Sequence, residues 1–333
     1  MATRMKAGII GAAGYAGGEL VRLLLLHPYV ELVFAQSNSQ AEQPITNTHT
    51  DLVGETTLTF SSDMTAEVDV LFLCAGHGAA RKFLETTSVA ATTKVIDLSQ
   101  DFRWNEQTSE SIVTTGERAF VYGLPELQRE EIKKAQHIAN PGCFATAIQL
   151  ALLPLAQESI LTSEVHVSGI TGSTGAGQQL SETSHFSWRT ENISTYKVMQ
   201  HQHLHEINRS IKQLQPNQQP AIHFVPYRGP FARGIFITAY TSSDLTLAQA
   251  TELYQSYYAQ HPFVIISAQN PDLKQVINTN KCILHLQKHG EQLVITSMID
   301  NLLKGASGQA VQNMNLLFRL DETTGLKLKP SAF

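Results

Sequence analysis

A cysteine at the start of a predicted helix is the residue best placed for covalent chemistry. Cys143 follows an Asn-Pro-Gly turn at 140–142 and precedes a long apolar stretch. A helix N-terminus carries unpaired N–H groups and a positive dipole end, which lower a thiol pKa of about 8.5 and favour the thiolate. We therefore predict that Cys143 is a nucleophile. The alternative is a small buried side chain, which describes Cys74 and Cys282 in their apolar runs.

The segment His-Gln-His-Leu-His-Glu-Ile at 201–207 offers the partner that such a thiol needs. An imidazole with a pKa of about 6.5 can take the thiol proton, hold the ion pair and move protons at neutral pH. Histidines at alternate positions can also share one face of a strand and, with Glu206 nearby, bind zinc. No cysteine or second ligand cluster has suitable spacing, so we favour the Cys–His pair and expect no metal.

A glycine turn near the N-terminus predicts a dinucleotide site. A strand over 6–10 is followed by Gly-Ala-Ala-Gly-Tyr-Ala-Gly-Gly at 11–18 and a helix over 19–27. Glycines allow a tight turn and close approach of a pyrophosphate, which the helix N-terminus then binds. The spacing is G-x-x-G-x-x-G, which is weak evidence alone. The residues that we expect to contact the cofactor here are Gly11, Gly14, Tyr15, Ala16 and Gly17.

The residues after the second strand favour NADP over NAD. That strand, predicted over 31–35, ends in Gln-Ser-Asn-Ser-Gln, where NAD-binding proteins of this kind carry a carboxylate for the 2′-hydroxyl. The hydroxyl groups of Ser37 and Ser39 could instead accommodate a 2′-phosphate. An arginine is also usual at NADP sites and is absent, and the serines could be ordinary loop polarity.

The alternation of elements predicts an α/β fold. Further strands at 68–73, 94–98 and 137–139, with helices at 78–86 and 126–135, indicate a doubly wound, mainly parallel dinucleotide-binding sheet. Longer alternating runs after residue 164 indicate an α+β domain with a largely antiparallel sheet. We expect an NADP-binding domain at 1–143 and 306–333, its last helix over 308–320, and a catalytic domain at 144–305.

Composition excludes several classes of partner. The 333 residues are 42% hydrophobic with a formal net charge of −5 and no basic stripe, so we expect no nucleic-acid partner. The largest apolar cluster is too short to span a bilayer, so we expect no membrane partner. Three cysteines imply no disulfide framework and suit a reducing compartment, which predicts a cytoplasmic protein.

Ordered motifs along nearly the whole chain resemble the N-acetyl-γ-glutamyl-phosphate reductase family, which is related to aspartate-semialdehyde dehydrogenases. They are the glycine turn at 11–17, Asp-Phe-Arg at 101–103, Tyr-Gly-Leu-Pro-Glu at 122–126, the Asn-Pro-Gly-Cys segment, the glycine- and hydroxyl-rich loop at 168–177, Ile-Asp-Asn-Leu-Leu-Lys-Gly at 299–305, and 309–315. The family segment H-R-H-T-P-E-I is similar to 201–207. Gln202 here replaces its arginine and His205 its proline.

The resemblance implies roles for individual residues. Cys143 would be the nucleophile and His201 the acid/base, with His203 in reserve. The loop at 168–177 could also, by its composition, form a nest of N–H groups for an anion. The residues implied to bind substrate are Arg103, Ser168, Gly169, Ser173, His203 and, as a weaker candidate, Arg233. Gly175 and Asn301 are implied to contact the cofactor.

The expected reaction is the NADPH-dependent reduction of N-acetyl-γ-glutamyl phosphate to the semialdehyde through a Cys143 thioester, in arginine biosynthesis. The partners would be the acyl phosphate, inorganic phosphate and further copies of the chain in a homo-oligomer, a dimer or tetramer. The alternatives are the same reaction on an N-succinyl or another acylated or amino acyl phosphate, including the aspartate-semialdehyde dehydrogenase type. A zinc-dependent hydrolase and a non-enzymatic NADP-sensing module are also possible.

Overall fold

The computed structural model describes residues 4–76, 78–104, 112–115 and 118–331. The chain divides into two compact units, each described by itself. The first is Met1–Pro141 with Ala306–Lys327, and the second is Gly142–Gly305 with Leu328–Phe333. No helix among the described residues is long and apolar enough to cross a membrane.

The elements up to residue 139 are β1 (Met5–Ile10), α1 (Tyr15–Leu25), β2 (Val30–Gln36), β3 (Val70–Leu73), α2 (Ala79–Thr86), β4 (Lys94–Asp97), β5 (Ile112–Thr115), β6 (Arg118–Tyr122), α3 (Pro125–Lys134) and β7 (His137–Ala139). Those that follow are α4 (Cys143–Gln157), β8 (Val165–Thr171), α5 (Phe186–Arg189), β9 (Ser194–Thr195), α6 (His203–Leu214), β10 (Ile222–Arg228), β11 (Ile235–Ser242), α7 (Leu247–Tyr258), β12 (Val264–Ile266), β13 (Cys282–His289), β14 (Gln292–Ile299) and α8 (Gly308–Leu317). Single turns of 3₁₀-helix lie at Ile45–Asn47, Thr50–Leu52, Ser173–Ala176, Glu182–Ser184 and Leu273–Gln275, and a π-helical turn at Leu303–Ser307.

The sheet of the first unit is mainly parallel, which confirms the predicted class. Its strand order over the described residues is β2-β1-β3-β4-β7-β6-β5, and every neighbouring pair is parallel except β5 with β6. All four residues of β3 are buried, as is typical of a strand covered on both faces. The antiparallel hairpin of β5 and β6 was not predicted.

Helix α8 is anchored in the first unit by asparagine side chains. All ten of its residues are buried. The Asn313 amide donates to the Gly123 carbonyl at 2.8 Å and to the Asn140 side chain at 3.0 Å. The Asn140 amide in turn donates to the Ala306 carbonyl at 3.0 Å. These bonds fix Asn140, the first residue of the turn that precedes Cys143.

The sheet of the second unit is mixed and mostly antiparallel, as predicted. Its strand order over the described residues is β12-β13-β14-β11-β8-β10-β9. The β12–β13 and β8–β10 pairs are parallel and the others are antiparallel. Alternate residues of β8 and β11 are buried, so these strands are covered on one face and open on the other in the single chain, whereas β13 and β14 each have five consecutive buried residues.

Helix α4 forms the core of the second unit. Every residue from Phe144 to Ala156 is buried, because a helix that is apolar on all sides must be enclosed by other elements. It packs against α6, β11 and β14. Tyr254 and Tyr258 of α7 donate their hydroxyls to the carbonyls of Ala151 and Leu150 at 2.5 and 2.6 Å. A rigid, fully packed α4 therefore presents its first residue at a fixed position.

Candidate active site

Cys143 is the first residue of α4. Gly142 is the N-cap, with extended backbone (φ −73°, ψ 154°), and the first turn carries no acidic side chain. The thiol residue is partly exposed, whereas the adjacent Phe144 is buried. The sulfur therefore lies at the positive end of a helix and remains accessible, which are the two conditions for a reactive thiolate.

The backbone of Gly305 passes close to Cys143. A Cβ atom at Gly305 would lie 2.7 Å from the Cβ of Cys143 and 3.3 Å from the Asp300 carbonyl oxygen. The Gly305 N–H donates to that same carbonyl at 2.9 Å. Only glycine allows this approach, so the Gly305 backbone lies directly beside the cysteine.

His201 is held next to the start of α4 by a cluster of rings. Its imidazole lies 5.6 Å from the ring of Phe144, which directly follows Cys143, and 5.5 Å from the ring of Phe224. The rings of Tyr196 and His203 lie 5.7 and 4.5 Å away. His201 is only 4% exposed. Segments far apart in sequence thus bring an imidazole to the N-terminal end of α4.

The surroundings keep His201 neutral. Burial, and second the positive charge of Lys197, lower the pKa of His201 to about 4. Its Nδ1 accepts the N–H of His203 at 3.2 Å, so the hydrogen of the neutral ring is on Nε2. The imidazolium–thiolate pair expected from sequence is therefore disfavoured in the ligand-free protein. His201 is instead set to donate a hydrogen bond from Nε2.

Glu206 joins the histidine segment to the cysteine turn. Its Oε2 accepts the Gly142 N–H at 2.9 Å, and its Oε1 lies 3.9 Å from Nε2 of His203. Its side chain is completely buried. A buried carboxylate requires such partners. Glu206 therefore fixes both the peptide that precedes Cys143 and the first turn of α6.

Tyr196 is a neighbour of both predicted catalytic residues. Its ring meets the His201 ring edge-on. Burial first, and the negative charge of Cys143 second, raise the pKa of Tyr196, while Arg228 opposes the shift. The Arg228 guanidinium lies 4.5 Å from the centre of the Tyr196 ring. A protonated phenol is therefore placed near the sulfur, with an arginine on its ring.

Two family models match the chain. A semialdehyde dehydrogenase NAD-binding domain covers residues 6–135, and a semialdehyde dehydrogenase dimerisation domain covers residues 143–301. An N-acetyl-gamma-glutamyl-phosphate reductase from Parabacteroides distasonis is 56% identical over 99% of this chain and 100% of its own length. The one from Bacteroides thetaiotaomicron is 54% identical with the same coverage. The chain belongs to the N-acetyl-γ-glutamyl-phosphate reductase family. The resemblance stated from sequence is confirmed.

Solved structures with the same fold are aspartate-semialdehyde dehydrogenases. That of enzyme II from Vibrio cholerae, complexed with ASA, has a TM-score of 0.71 at 16% identity and covers 96% of this chain and 99% of its own. That of the Candida albicans enzyme with NADP has a TM-score of 0.68 at 14% identity, with coverage of 95% and 99%. At these identities the likeness shows the fold of the reductase family and nothing finer.

The arginines implied by the family motifs are occupied within the protein. Arg103, in the first unit, donates from Nε to the Asn140 carbonyl and from Nη2 to the Leu98 carbonyl, both at 2.8 Å. Arg233, in the second, binds the buried carboxylate of Asp300 through Nε and Nη2 at 3.0 Å. Both arginines therefore hold backbone or a carboxylate in place, and their contact with substrate remains a prediction.

The glycine-rich loop does not form the predicted nest of free N–H groups. The amides of Gly172, Ser173 and Thr174 donate to carbonyls of the segment 231–234, and those of Gly175 and Gly177 close turns within the loop. An amide already bonded to a carbonyl cannot also hold an anion. The loop is therefore a rigid backbone structure, and any binding by Ser173 uses its hydroxyl.

Ser168 and Gly169 point to opposite faces of the second sheet. A Cβ at Gly169 would meet Phe144, Phe224 and Ile237 on the covered face, at 2.6–3.0 Å. Ser168 is exposed on the other face. Its hydroxyl thus points away from α4, and binding of substrate by Ser168 remains a prediction.

Asn301 secures the same loop. Its Oδ1 accepts the Gly234 N–H at 2.7 Å, and its Nδ2 donates to the Thr174 hydroxyl at 3.0 Å. Gly175 is exposed next to this bond, and a Cβ there would lie 4.0 Å from Asn301 Nδ2. Asn301 thus positions the loop, and its predicted contact with cofactor, like that of Gly175, is not tested by these bonds.

Two of the three alternating histidines lie on a helix rather than on a strand. His203 begins α6 and His205 follows in its first turn, while His201 precedes the helix. On a helix, residues two apart point in different directions, so His203 and His205 do not share the strand face on which the zinc alternative depended. Among the described residues no group of three or more His, Cys, Asp or Glu side chains is arranged to hold a metal ion.

The glycine turn of the first unit fits a pyrophosphate. Gly11 has φ +79° and its Cβ would lie 2.9 Å from the Cys74 backbone, while a Cβ at Gly17 would lie 2.5 Å from the Ala12 carbonyl oxygen. Gly14 caps α1, has open space beside it, and leads into a first turn without acidic residues. The N–H groups of Tyr15 and Ala16 have no partner four residues back in the helix. This end of α1 can therefore receive an anionic group.

The two serines predicted for the cofactor lie together at the end of β2. The hydroxyls of Ser37 and Ser39 are 3.4 Å apart. Gln36 connects them to the glycine turn, because its Oε1 accepts the Gly11 N–H at 3.3 Å. Ser37 and Gln36 are buried. The hydroxyl pair and the turn thus belong to one edge of the first sheet, as an adenosine-binding site requires.

Sequence reasoning missed four residues around the cysteine: Tyr196, Glu206 as a partner of Gly142, Arg189 and Arg228. Glu206 had a usable signal, since it stands three residues after His203 on a segment whose Ile207 and Ile211 show helical spacing. Arg189 ends α5, Tyr196 follows β9 and Arg228 ends β10, and only tertiary contacts bring these three residues together.

Proposed function

We propose that the protein catalyses the NADPH-dependent reduction of N-acetyl-γ-glutamyl phosphate to N-acetylglutamate semialdehyde, a step of arginine biosynthesis. One observation carries the proposal. Cys143 begins a buried helix, and His201 packs against the next residue of that helix. The relatives that share over half of this sequence carry the name of this reductase.

The first step uses Cys143 and the start of α4. The thiolate sulfur bonds to the acyl carbon, the carbon–oxygen bond to the phosphate breaks, and inorganic phosphate leaves with the electron pair. The first N–H groups of α4 and the Nε2–H of His201 are suited to stabilise the negative charge on the acyl oxygen. Glu206 holds the Gly142 peptide so that the helix start keeps its orientation. The product is a thioester on Cys143.

The second step reduces the thioester and regenerates the Cys143 thiolate. NADPH, when bound at the glycine turn, supplies the hydride that reduces the thioester. His201 donates a hydrogen bond from Nε2 to the oxygen that gains charge, and the electron pair of that oxygen then re-forms the carbonyl bond without a proton transfer. Loss of the sulfur from the thiohemiacetal then releases the aldehyde and restores the Cys143 thiolate.

The choice of NADP rests on Ser37 and Ser39. Their adjacent hydroxyls at the end of β2 can donate to a 2′-phosphate, and Gln36, the last residue of that strand, has no charge to repel it.

We also propose a homo-oligomer, dimer or tetramer, assembled through the open face of the second sheet, where Ser168 and Tyr240 are exposed. A cytoplasmic location is supported by the sparse, odd count of three cysteines, which suits a reducing compartment.

The test follows NADPH formation from N-acetylglutamate semialdehyde, NADP and phosphate. Wild-type turnover should require phosphate, and Cys143→Ala should lower kcat by about 10⁴-fold or more. Cys282→Ala is the matched control, because Cys282 is a buried cysteine of the same unit on β13. Phosphate-independent turnover, or full activity in Cys143→Ala, would refute the proposal.

A further inference from the structure

Two arginines beside the cysteine site are close to each other and face no carboxylate. Arg189 lies in α5 and Arg228 at the end of β10. Thr183 binds both, since its hydroxyl accepts Nη1 of Arg228 at 2.6 Å and its carbonyl accepts Nη2 of Arg189 at 2.9 Å. Among the described residues neither guanidinium forms an ion pair with an acidic side chain. Thr183 thus orients both positively charged guanidinium groups.

Burial makes this arrangement costly without an anion. Arg189 is 8% exposed, and its Nη1 is buried with no hydrogen-bond partner among the described residues. Burial, and second the charge of Arg228, lower the pKa of Arg189. A desolvated guanidinium with a like charge nearby is stabilised by an opposite charge. The described residues supply none, so the natural counter-ion is a ligand.

The pair is connected to the reacting residues. The Arg228 guanidinium lies on the Tyr196 ring, and that ring contacts His201 and responds to the charge of Cys143. Lys197, whose charge reaches His201, donates to the neutral amide oxygen of Gln202 at 2.9 Å. The field on this side of Cys143 is therefore positive. An anionic part of the substrate would be attracted here, beside the carbon that the sulfur attacks.

We propose that Arg189 and Arg228 form an anion-binding subsite that holds an oxyanion of the substrate beside Tyr196. Planar guanidinium groups suit the paired oxygens of a carboxylate or phosphate. The oxyanion has three possible sources: the transferred phosphate, the α-carboxylate of the glutamyl group, or a second carboxylate on the acyl chain, as in an N-succinyl substrate. This assignment rests on the proposed function for the identity of the substrate.

The experiment compares Arg228→Gln, Arg228→Lys and Arg189→Gln with wild type. Lys212→Gln is the matched control, since Lys212 is an exposed cation of the same unit. KM and kcat are measured with N-acetyl- and N-succinylglutamate semialdehyde, and separately against phosphate. Thermal unfolding establishes that each variant is folded, and Arg228, which is partly exposed, serves if Arg189→Gln does not fold.

We expect one KM to rise about ten- to a hundredfold in the glutamine variants, with kcat changed far less and Arg228→Lys intermediate. A rise for phosphate alone identifies the phosphate, and an equal rise for both aldehydes identifies the α-carboxylate. A rise for the succinyl aldehyde alone identifies the acyl carboxylate. Each of these results supports the subsite.

Unchanged KM values in folded variants would overturn the subsite. So would variants in which only the pH dependence of Cys143 alkylation moves, because the arginines would then act on the thiol. Calorimetric titration with inorganic phosphate, N-acetylglutamate and N-succinylglutamate separates this test from the proposed function. Binding that depends on Arg228 in a protein that turns over neither aldehyde would keep the subsite and refute the reaction.

Discussion

The glycine turn of the first unit is made of consecutive backbone, whereas the cysteine site of the second unit is made of side chains from distant segments. In the turn, Gly11, Gly14 and Gly17 provide room and N–H groups within seven residues. At the cysteine, α4, α6 and the strands β9 and β10 each contribute. The first kind of site tolerates few changes in the backbone, and the second depends on buried polar contacts that hold each side chain.

The largest effect among the supporting residues is expected for His201→Asn. Loss of a group that donates a hydrogen bond to the developing oxyanion should lower kcat by about 10²- to 10³-fold. The steady-state assay with saturating aldehyde, NADP and phosphate measures it. The control is His185→Asn, an exposed histidine of the same unit. Equal activities in the two variants would show that the His201 side chain is not part of the chemistry.

The backbone site is tested by Gly11→Ala against Gly76→Ala. At Gly11 an alanine would have φ +79° and meet the Cys74 backbone at 2.9 Å, whereas Gly76 has open space. Strain of this kind is on the order of 1–3 kcal/mol, so Gly11→Ala should unfold at lower temperature and bind NADPH about ten- to a hundredfold more weakly. If cofactor affinity, measured by fluorescence titration, were the same in both, the turn would not be the cofactor site.

A smaller effect is expected for Glu206, and it depends on the replacement. Glu206→Gln keeps an oxygen for the Gly142 N–H, while Glu206→Ala leaves that buried donor without its acceptor. The alanine variant should lose about 1–3 kcal/mol of unfolding free energy, and the glutamine variant less. Chemical denaturation of the pair measures this difference. Equal losses would mean that the Gly142 bond does not hold the turn.

The smallest effect is expected on the pH dependence of folding stability in Lys197→Gln. In the folded protein His201 takes up a proton only near its pKa of about 4, and in the unfolded chain near 6.5. The unfolded state therefore binds more protons between these values, so this contribution to stability is complete above about pH 6.5 and is lost as the pH falls towards 4. Removing the Lys197 charge should raise the pKa of His201 and reduce that loss.

Denaturation midpoints at pH 7 and pH 5 measure this effect in wild type, Lys197→Gln and the control Lys212→Gln. Burial, and then Arg118 and Lys94, also lower the pKa of His137 in the first unit to about 4, so the acid loss should be reduced and not abolished. A larger loss in Lys197→Gln than in wild type would contradict the cause assigned to the His201 shift.

The same contrast explains what the sequence could predict. The strand, glycine turn and helix at the start of the chain were predicted because their signals are contiguous, and β7 has the predicted bounds. The segment at 201–207 was misleading, since alternate histidines resemble a strand. Its helix is set by Ile207, Ser210 and Ile211, which are buried at helical spacing.

The arginines show the limit of sequence reasoning most clearly. Arg103 and Arg233 were selected from motifs, yet both hold groups within the protein. Arg189 and Arg228 were not selected from any motif, and Thr183 accepts hydrogen bonds from both. Tertiary packing decides which arginines have hydrogen-bond or ion-pair partners within the protein. Residue types and their spacing in the sequence do not predict that packing.

The most direct test of the thioester is a single round of its formation in the absence of phosphate. Wild-type protein is mixed with excess N-acetylglutamate semialdehyde and NADP in phosphate-free buffer, and NADPH and the intact mass of the protein are followed together. The account predicts a burst of about one NADPH per chain and a mass increase of one acylglutamyl group on Cys143. No burst, or the same burst and mass increase in Cys143→Ala, would contradict it.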